Sequence, residues 1–194
     1  MGELDLKFEN KRKIRKGRVL ISDPFSDDEY FGRSVVYLCE HNEEGSFGFV
    51  LNNYIDLKIT EVAKNFPDLN TKVSIGGPVK TDNIYFIHTL GKVIPDTQHI
   101  EDGIYLGGDY DTLLSMIEDK KVTSKDVRFF LGYAGWKNGQ LQEELKSHAW
   151  IVGAVINNAE IMDVNVNDLW NHYMRRQGKK YDILARFPKD IQVN

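Results

Sequence analysis

Cysteine is nearly missing from this chain: Cys39 is the only one in 194 residues. One thiol cannot make an internal disulfide or a multi-cysteine zinc site, and its isolation fits a reducing compartment. Long apolar runs are missing too, none approaching the roughly 20 residues that span a bilayer, so no membrane partner is expected. The N-terminus, MGELDLKFENKRKIRKGRVLISD, has neither an apolar core nor a small-residue cleavage site. Nothing there marks it for secretion, and the cytoplasm is the expected location. Also absent are the G-x-x-x-x-G-K-S/T and G-x-G-x-x-G phosphate loops, the G-x-S-x-G elbow, the H-E-x-x-H helix and the EF-hand loop. No motif names a catalytic residue, and no cofactor or metal is expected.

What remains is an ordinary globular composition, 41% hydrophobic and 28% charged, long enough for one well-filled core. The charge is unevenly spread. Lys11, Arg12, Lys13, Arg15, Lys16 and Arg18 are six of the 25 basic residues, which leaves 19 against 29 acidic ones elsewhere, a net of −10. The reading is an exposed basic arm over residues 1–16 followed by a single domain over 17–194. The arm is the candidate contact for nucleic acid; solvation or docking on the acidic body explains it equally.

Short strands are expected at RVLIS, at Arg33 to Cys39 and at Gly48 to Leu51, the last two joined as a hairpin by the turn residues His41 to Gly45. Apolar spacing predicts a helix within Ile55 to Phe66, ended by Pro67. Strands follow at Lys72 to Ile75, Asn83 to Leu90 and Gly103 to Leu106, then a helix capped by Asp109. Val127 to Ala134 reads as a strand that enters a glycine-rich corner, GYAGWKNGQ, before an amphipathic helix with Leu141, Leu145 and Ala149 on one face. Trp150 to Ile156 reads as a central, doubly covered strand. A last helix from Asn167 to Gln177 precedes an extended basic tail. Seven or eight strands and about four helices, partly in hairpins, predict a mixed-sheet α+β domain.

Four groups of residues bear on chemistry. Cys39 and His41 lie two apart, on one face of an extended strand, which makes Cys-x-His the single pairing suited to a thiol nucleophile or redox response. Gly76-Gly77-Pro78 and Gly107-Gly108-Asp109 suit tight turns or anion-binding nests. Asp23, Asp27, Asp28 and Glu29 form an acidic loop cluster of the kind usually solvated. The backbone from Gly135 to Gln140, with Trp136 at its tip, is the segment that packing explains least and the first place to look for a partner.

Taken together, GRVLISDP, the run FGRSVVYLCEHNEEGSFGFVLN from Phe31 to Asn52, Gly76-Gly77-Pro78-Val79, and Gly132-Tyr133-Ala134-Gly135-Trp136 with Gly139-Gln140-Leu141 and Trp150 resemble the YqgE/AlgH family of bacterial proteins. The resemblance covers roughly residues 17–175. It implies a mainly antiparallel sheet curled into a pseudo-barrel and flanked by helices. Some members carry the label of transcriptional regulator, although the shared motifs contain no DNA-reading module. Glu40, His41, Asn52, Gly76, Gly77, Gly135, Trp136 and Gln140, with Asn42, Gly45 and Tyr133 among their neighbours, become candidates for a common ligand site. The expected function is that of a non-enzymatic binding or regulatory protein; the alternative is an enzyme or redox-responsive protein using Cys39 and His41.

Overall fold

The computed structural model describes residues 10–186. The first nine residues of the expected arm and the last eight of the expected tail lie outside them. The elements are β1 (Val19–Ser22), β2 (Val35–Asn42), β3 (Gly45–Val50), β4 (Tyr54–Lys58), α1 (Ile59–Val62), β5 (Lys72–Ile75), β6 (Val79–His88), β7 (Gln98–Glu101) and β8 (Ile104–Leu106). There follow α2 (Tyr110–Glu118), β9 (Val127–Lys137), α3 (Gln140–Lys146), β10 (Trp150–Gly153), α4 (Ala159–Met162), α5 (Leu169–Arg175) and α6 (Lys179–Ala185). The ten strands form one sheet along the path β10-β1-β2-β3-β9-β6-β8-β7, with β5 beside β9 and β4 beside β5. Among the described residues, only β5 and β9 run parallel. The sheet is curled but not closed, so the α+β, mainly antiparallel expectation holds, with two more strands and two more short helices than anticipated.

The first strands read as unbroken apolar runs because both sheet faces are covered there. Val19 and Ile21 of β1 pack with Val35, Tyr37, Phe49 and the helical residues Trp170, Tyr173 and Leu184, whereas Leu20 packs with Val36, Leu38, Trp136 and Leu141 on the opposite face. A third cluster joins β5, β6 and β9 to α2 through Val73, Phe86, Leu113, Ile117 and Phe129. Asp109 caps α2 as expected, its carboxylate accepting from Thr112 N at 2.7 Å.

Four expectations change. Much of Ile55 to Phe66 is not helical: Ile55 pairs with Val73 in the sheet, and the helical spacing is realised for only one turn before Ala63 turns extended. Sheet pairing outweighs local pattern there. β10 is not central but stands at one end of the path, with β1 as its one strand partner among the described residues. The last helix is capped by Asp168, not Asn167. After Gly178 the chain does not run out extended but folds as α6, burying Tyr181, Leu184 and Ala185.

The two ends of the path, β10 and β7, are linked by the chain preceding β1. Asn10 donates from its amide to Trp150 O at 3.0 Å and accepts from Val152 N at 2.7 Å, so one side chain supplies the bonds of a missing strand neighbour. Farther along, Arg15 pairs with Glu101, Lys16 donates to His99 O at 3.2 Å, and Gly17 N bonds Leu38 O at 2.8 Å. Residues 10–17 thus strap the open seam of the curl.

Candidate functional site

The site is built by one long strand whose two sides are treated differently. On one side, β9 meets β3 with Gly45 opposite Lys137, Phe47 opposite Gly135 and Gly48 opposite Ala134. On the other, β6 accompanies it only as far as Val79 opposite Tyr133. The reason lies in Gly76-Gly77, which crosses from the β5 side of β9 to the β6 side. A Cβ on Gly76 would strike Gly132 O; one on Gly77, at φ +154°, would strike the Tyr133–Ala134 backbone. Gly132 at φ +66° completes the crossing and turns over the facing of β9, so that Phe130 and Tyr133 point the same way. Backbones this close leave no room for a side chain on either strand.

Beyond the crossing, a solvent-open groove of about 510 Å³ lies between the β2–β3 hairpin and the end of β9, within the usual range for ligand sites. Phe47 and Tyr133 form its floor, their ring centroids 4.8 Å apart. The Tyr133 ring lies against Gly135, where a Cβ would stand 3.0 Å from it. Glu40, Asn42 and Glu44 stand along the hairpin side, Lys137 and Gln140 at the end of β9, and Val79 at the crossing. The hairpin is set by Asn42, whose Oδ1 accepts from Glu44 N and Gly45 N at 2.8 and 3.2 Å. Its Nδ2 donates to Glu40 Oε1 at 2.8 Å, which orients that carboxylate.

Of the eight residues nominated from sequence, Glu40, Gly135, Trp136 and Gln140 line the groove. The other four do not. His41 bonds Ser46 Oγ through Nδ1 at 2.7 Å. Asn52 clamps the start of β2, accepting from Val35 N at 2.8 Å and donating to Arg33 O at 2.9 Å. Gly76 and Gly77 form the crossing rather than a phosphate nest. Trp136 is not a tip: β9 continues as strand through Lys137, and the indole is 6% exposed on the opposite face. There Glu144 Oε2 accepts from Trp136 Nε1 at 2.7 Å and Trp150 Nε1 at 2.8 Å, while its Oε1 accepts from Gln140 at 2.9 Å. The corner turns instead at Asn138-Gly139, with Gly139 at the start of α3.

The Cys-x-His pairing comes apart. The register of β2 on β3 shifts between Leu38 and Glu40, so Glu40 pairs with Phe47 and His41 with Ser46. This bulge sends Cys39 into the core with Tyr37 and Phe49, and His41 to the other face. Cys39 is fully buried, its thiol 3.7 Å from Tyr37 O, and burial followed by the nearby Glu40 pushes its pKa well up. It sits as a protonated, inaccessible thiol. The acidic loop is similarly occupied: Asp23 accepts from Phe25 N, and Asp28 from Tyr30 N and Phe31 N. Among the described residues no three His, Cys, Asp or Glu side chains gather as a metal site would need. No helix there is long and apolar enough to cross a membrane.

Phe47, Val79 and Glu44 were not among the nominated site residues, and Lys137 was included only as part of the Gly135 to Gln140 backbone. The period-two spacing of Phe47 and Phe49 was the available signal for the floor; nothing in the sequence marked the Lys137 side chain itself. Arg128 was missed as well. It is fully buried, donating to Ile161 O at 2.5 Å, to Leu51 O and to Tyr54 OH at 3.0 Å. Burial lowers its pKa, opposed first by Tyr54. It ties β9 to α4 and to the end of β3, well inside the molecule.

A family model described as AlgH-like matches residues 19–182. A UPF0301 protein of Cytophaga hutchinsonii is 38% identical over 182 residues, covering 93% of this chain and all of that protein. One from Bacteroides thetaiotaomicron is 39% identical over 175 residues, covering 90% and 88%. Among solved structures, the AlgH protein from Pseudomonas aeruginosa matches with a TM-score of 0.71 at 27% identity, over 93% of this chain and 98% of that one. A Corynebacterium diphtheriae protein shares the fold with a TM-score of 0.75 at 23% identity, over 93% and 95%. The chain therefore belongs to the AlgH-like family.

Proposed function

We propose that this chain is a non-enzymatic binding or regulatory protein of the cytoplasm whose site is the groove between the β2–β3 hairpin and the end of β9. One observation carries the reading: residues nominated from two stretches far apart in sequence, Glu40 of the hairpin run and Gly135 with Gln140 of the glycine corner, converge on a single open groove with an aromatic floor. The arrangement offers hydrogen bonds, charge and a flat apolar surface, the elements of recognition. The alternative, thiol chemistry at Cys39 with His41, has the thiol buried and the imidazole turned away. Nucleic acid at the basic arm has little more in its favour, because Arg12, Arg15 and Lys16 already engage Gln177, Glu101 and His99.

A thermal-shift screen of nucleotides and common metabolites tests the reading, since a ligand at 100 times its Kd adds about 2.7 kcal/mol to stability. A stabilising compound is expected to perturb the amide resonances of Glu40, Phe47, Gly135 and Lys137; perturbations confined elsewhere would refute the site. Iodoacetamide is expected to label Cys39 only on unfolding. Native-state labelling at the rate of a free thiol would revive the alternative.

A further inference from the structure

The groove contains a piece of unused sheet edge. From Ala134 to Lys137, β9 has β3 on one side and, among the described residues, no strand on the other, because β6 begins at Val79 opposite Tyr133. The carbonyl of Trp136 points at β3, where it would strike a Cβ on Gly45. Backbone groups alternate sides along a strand, so the N–H and C=O of Gly135 and Lys137 face the unoccupied side. The Lys137 N–H is taken by Gln140 Oε1 at 3.1 Å. Gly135 is exposed, with both of its backbone groups turned to the groove.

We propose that this edge receives an extended peptide segment of a partner protein, added antiparallel to β9, with an apolar side chain opposite Gly135 and a carboxylate two residues earlier, opposite Lys137. The inference rests on the groove being the binding site and names its occupant. A residue opposite Gly135 exchanges two backbone hydrogen bonds with it and directs its side chain to the same face as Phe47. Gly135 has no side chain of its own and the Tyr133 ring lies against it, so an apolar group opposite Gly135 meets the Phe47–Tyr133 floor. The next position on that face lies beside Lys137, whose ammonium is exposed and makes no ion pair among the described residues. A carboxylate opposite it completes a cross-strand ion pair. Glu40 and Glu44 on the hairpin side disfavour further acidic groups. The molecule already satisfies another edge by the same donor and acceptor pair, at Asn10 on β10.

The test is a titration of the full chain, followed by amide chemical shifts, with the capped hexapeptide acetyl-Thr-Thr-Glu-Thr-Phe-Thr-amide. Expected are shifts centred on Gly135 and Lys137, a loss of about tenfold in affinity when the phenylalanine nitrogen is methylated, and a several-fold loss when the glutamate becomes lysine. Lys137→Glu, an exposed change that leaves the fold intact, is expected to reverse the preference between the glutamate and lysine peptides. Equal binding of the N-methylated peptide, or no shift at Gly135 at millimolar peptide, overturns strand addition. The groove reading survives that result if a small ligand still perturbs Phe47 and Gly135, and falls with it if none does. Sedimentation showing a dimer that Lys137→Glu dissolves would assign the edge to a second copy and overturn the peptide.

Discussion

The two sheet edges at β10 and at the end of β9 make opposite use of the same backbone chemistry. At β10, Asn10 fills the donor and acceptor positions of a missing neighbour, and the strand is buried on both faces although it ends the sheet. At β9, the neighbouring strand is held away by the Gly77 crossing, and Gly135 keeps its backbone in the open groove. Exposed edges invite pairing, and here one edge is plugged while the other is only blunted by Lys137 and Gln140. The same division runs through the tryptophans. Trp136 and Trp150 are fixed by Glu144 on the closed face, directly behind the strand that carries the open one.

Substitutions sort along that division. Gly77→Ala strikes the device that creates the open edge, and is expected to cost at least about 3 kcal/mol because backbone must move to admit a Cβ. Urea unfolding measures it; a cost under about 1 kcal/mol would mean the crossing is slack. Glu144→Ala leaves two indole N–H groups without an acceptor on the closed face, for an expected loss of about 2–3 kcal/mol. Near-neutrality there would show water replacing the carboxylate. Asn10→Ala is expected to cost about 1 kcal/mol and to speed exchange of the Val152 amide, which loses its acceptor. Glu40→Gln, on the open side, is expected to change stability by less than about 0.5 kcal/mol while altering ligand affinity. A large destabilisation from that change would make the groove wall structural and blur the comparison.

The sequence revealed what depends on composition and short spacing. The β2–β3 hairpin, the Asp109 cap and the family motifs were legible, because turn residues and capping residues act locally. Facing was not. Two bulge-like irregularities, at Cys39 and at Gly132, each reverse which way the following residues point, and period-two reasoning assumes none. That is why Cys39 and His41 read as a pair; Trp136 read as a tip because the glycines of the corner end the predicted strand at Ala134, whereas β9 continues through Lys137. Edges were equally hidden: the apolar run at Trp150 predicts two covered faces, which it has, and says nothing about neighbours along the hydrogen-bonding direction. The groove was half legible, through Glu40, Gly135 and Gln140, while Phe47 and Lys137 join it only through pairing between distant strands.

Native-state amide hydrogen exchange on the unliganded protein tests the central claim most directly, by comparing Gly135 with its neighbours Ala134 and Trp136 and with Val152. The account predicts that Gly135 exchanges close to the rate of an unprotected amide, while Ala134 and Trp136, bonded to β3, and Val152, bonded to Asn10, are slowed by orders of magnitude. Protection of Gly135 equal to that of Trp136 would contradict it, because the edge would already be occupied.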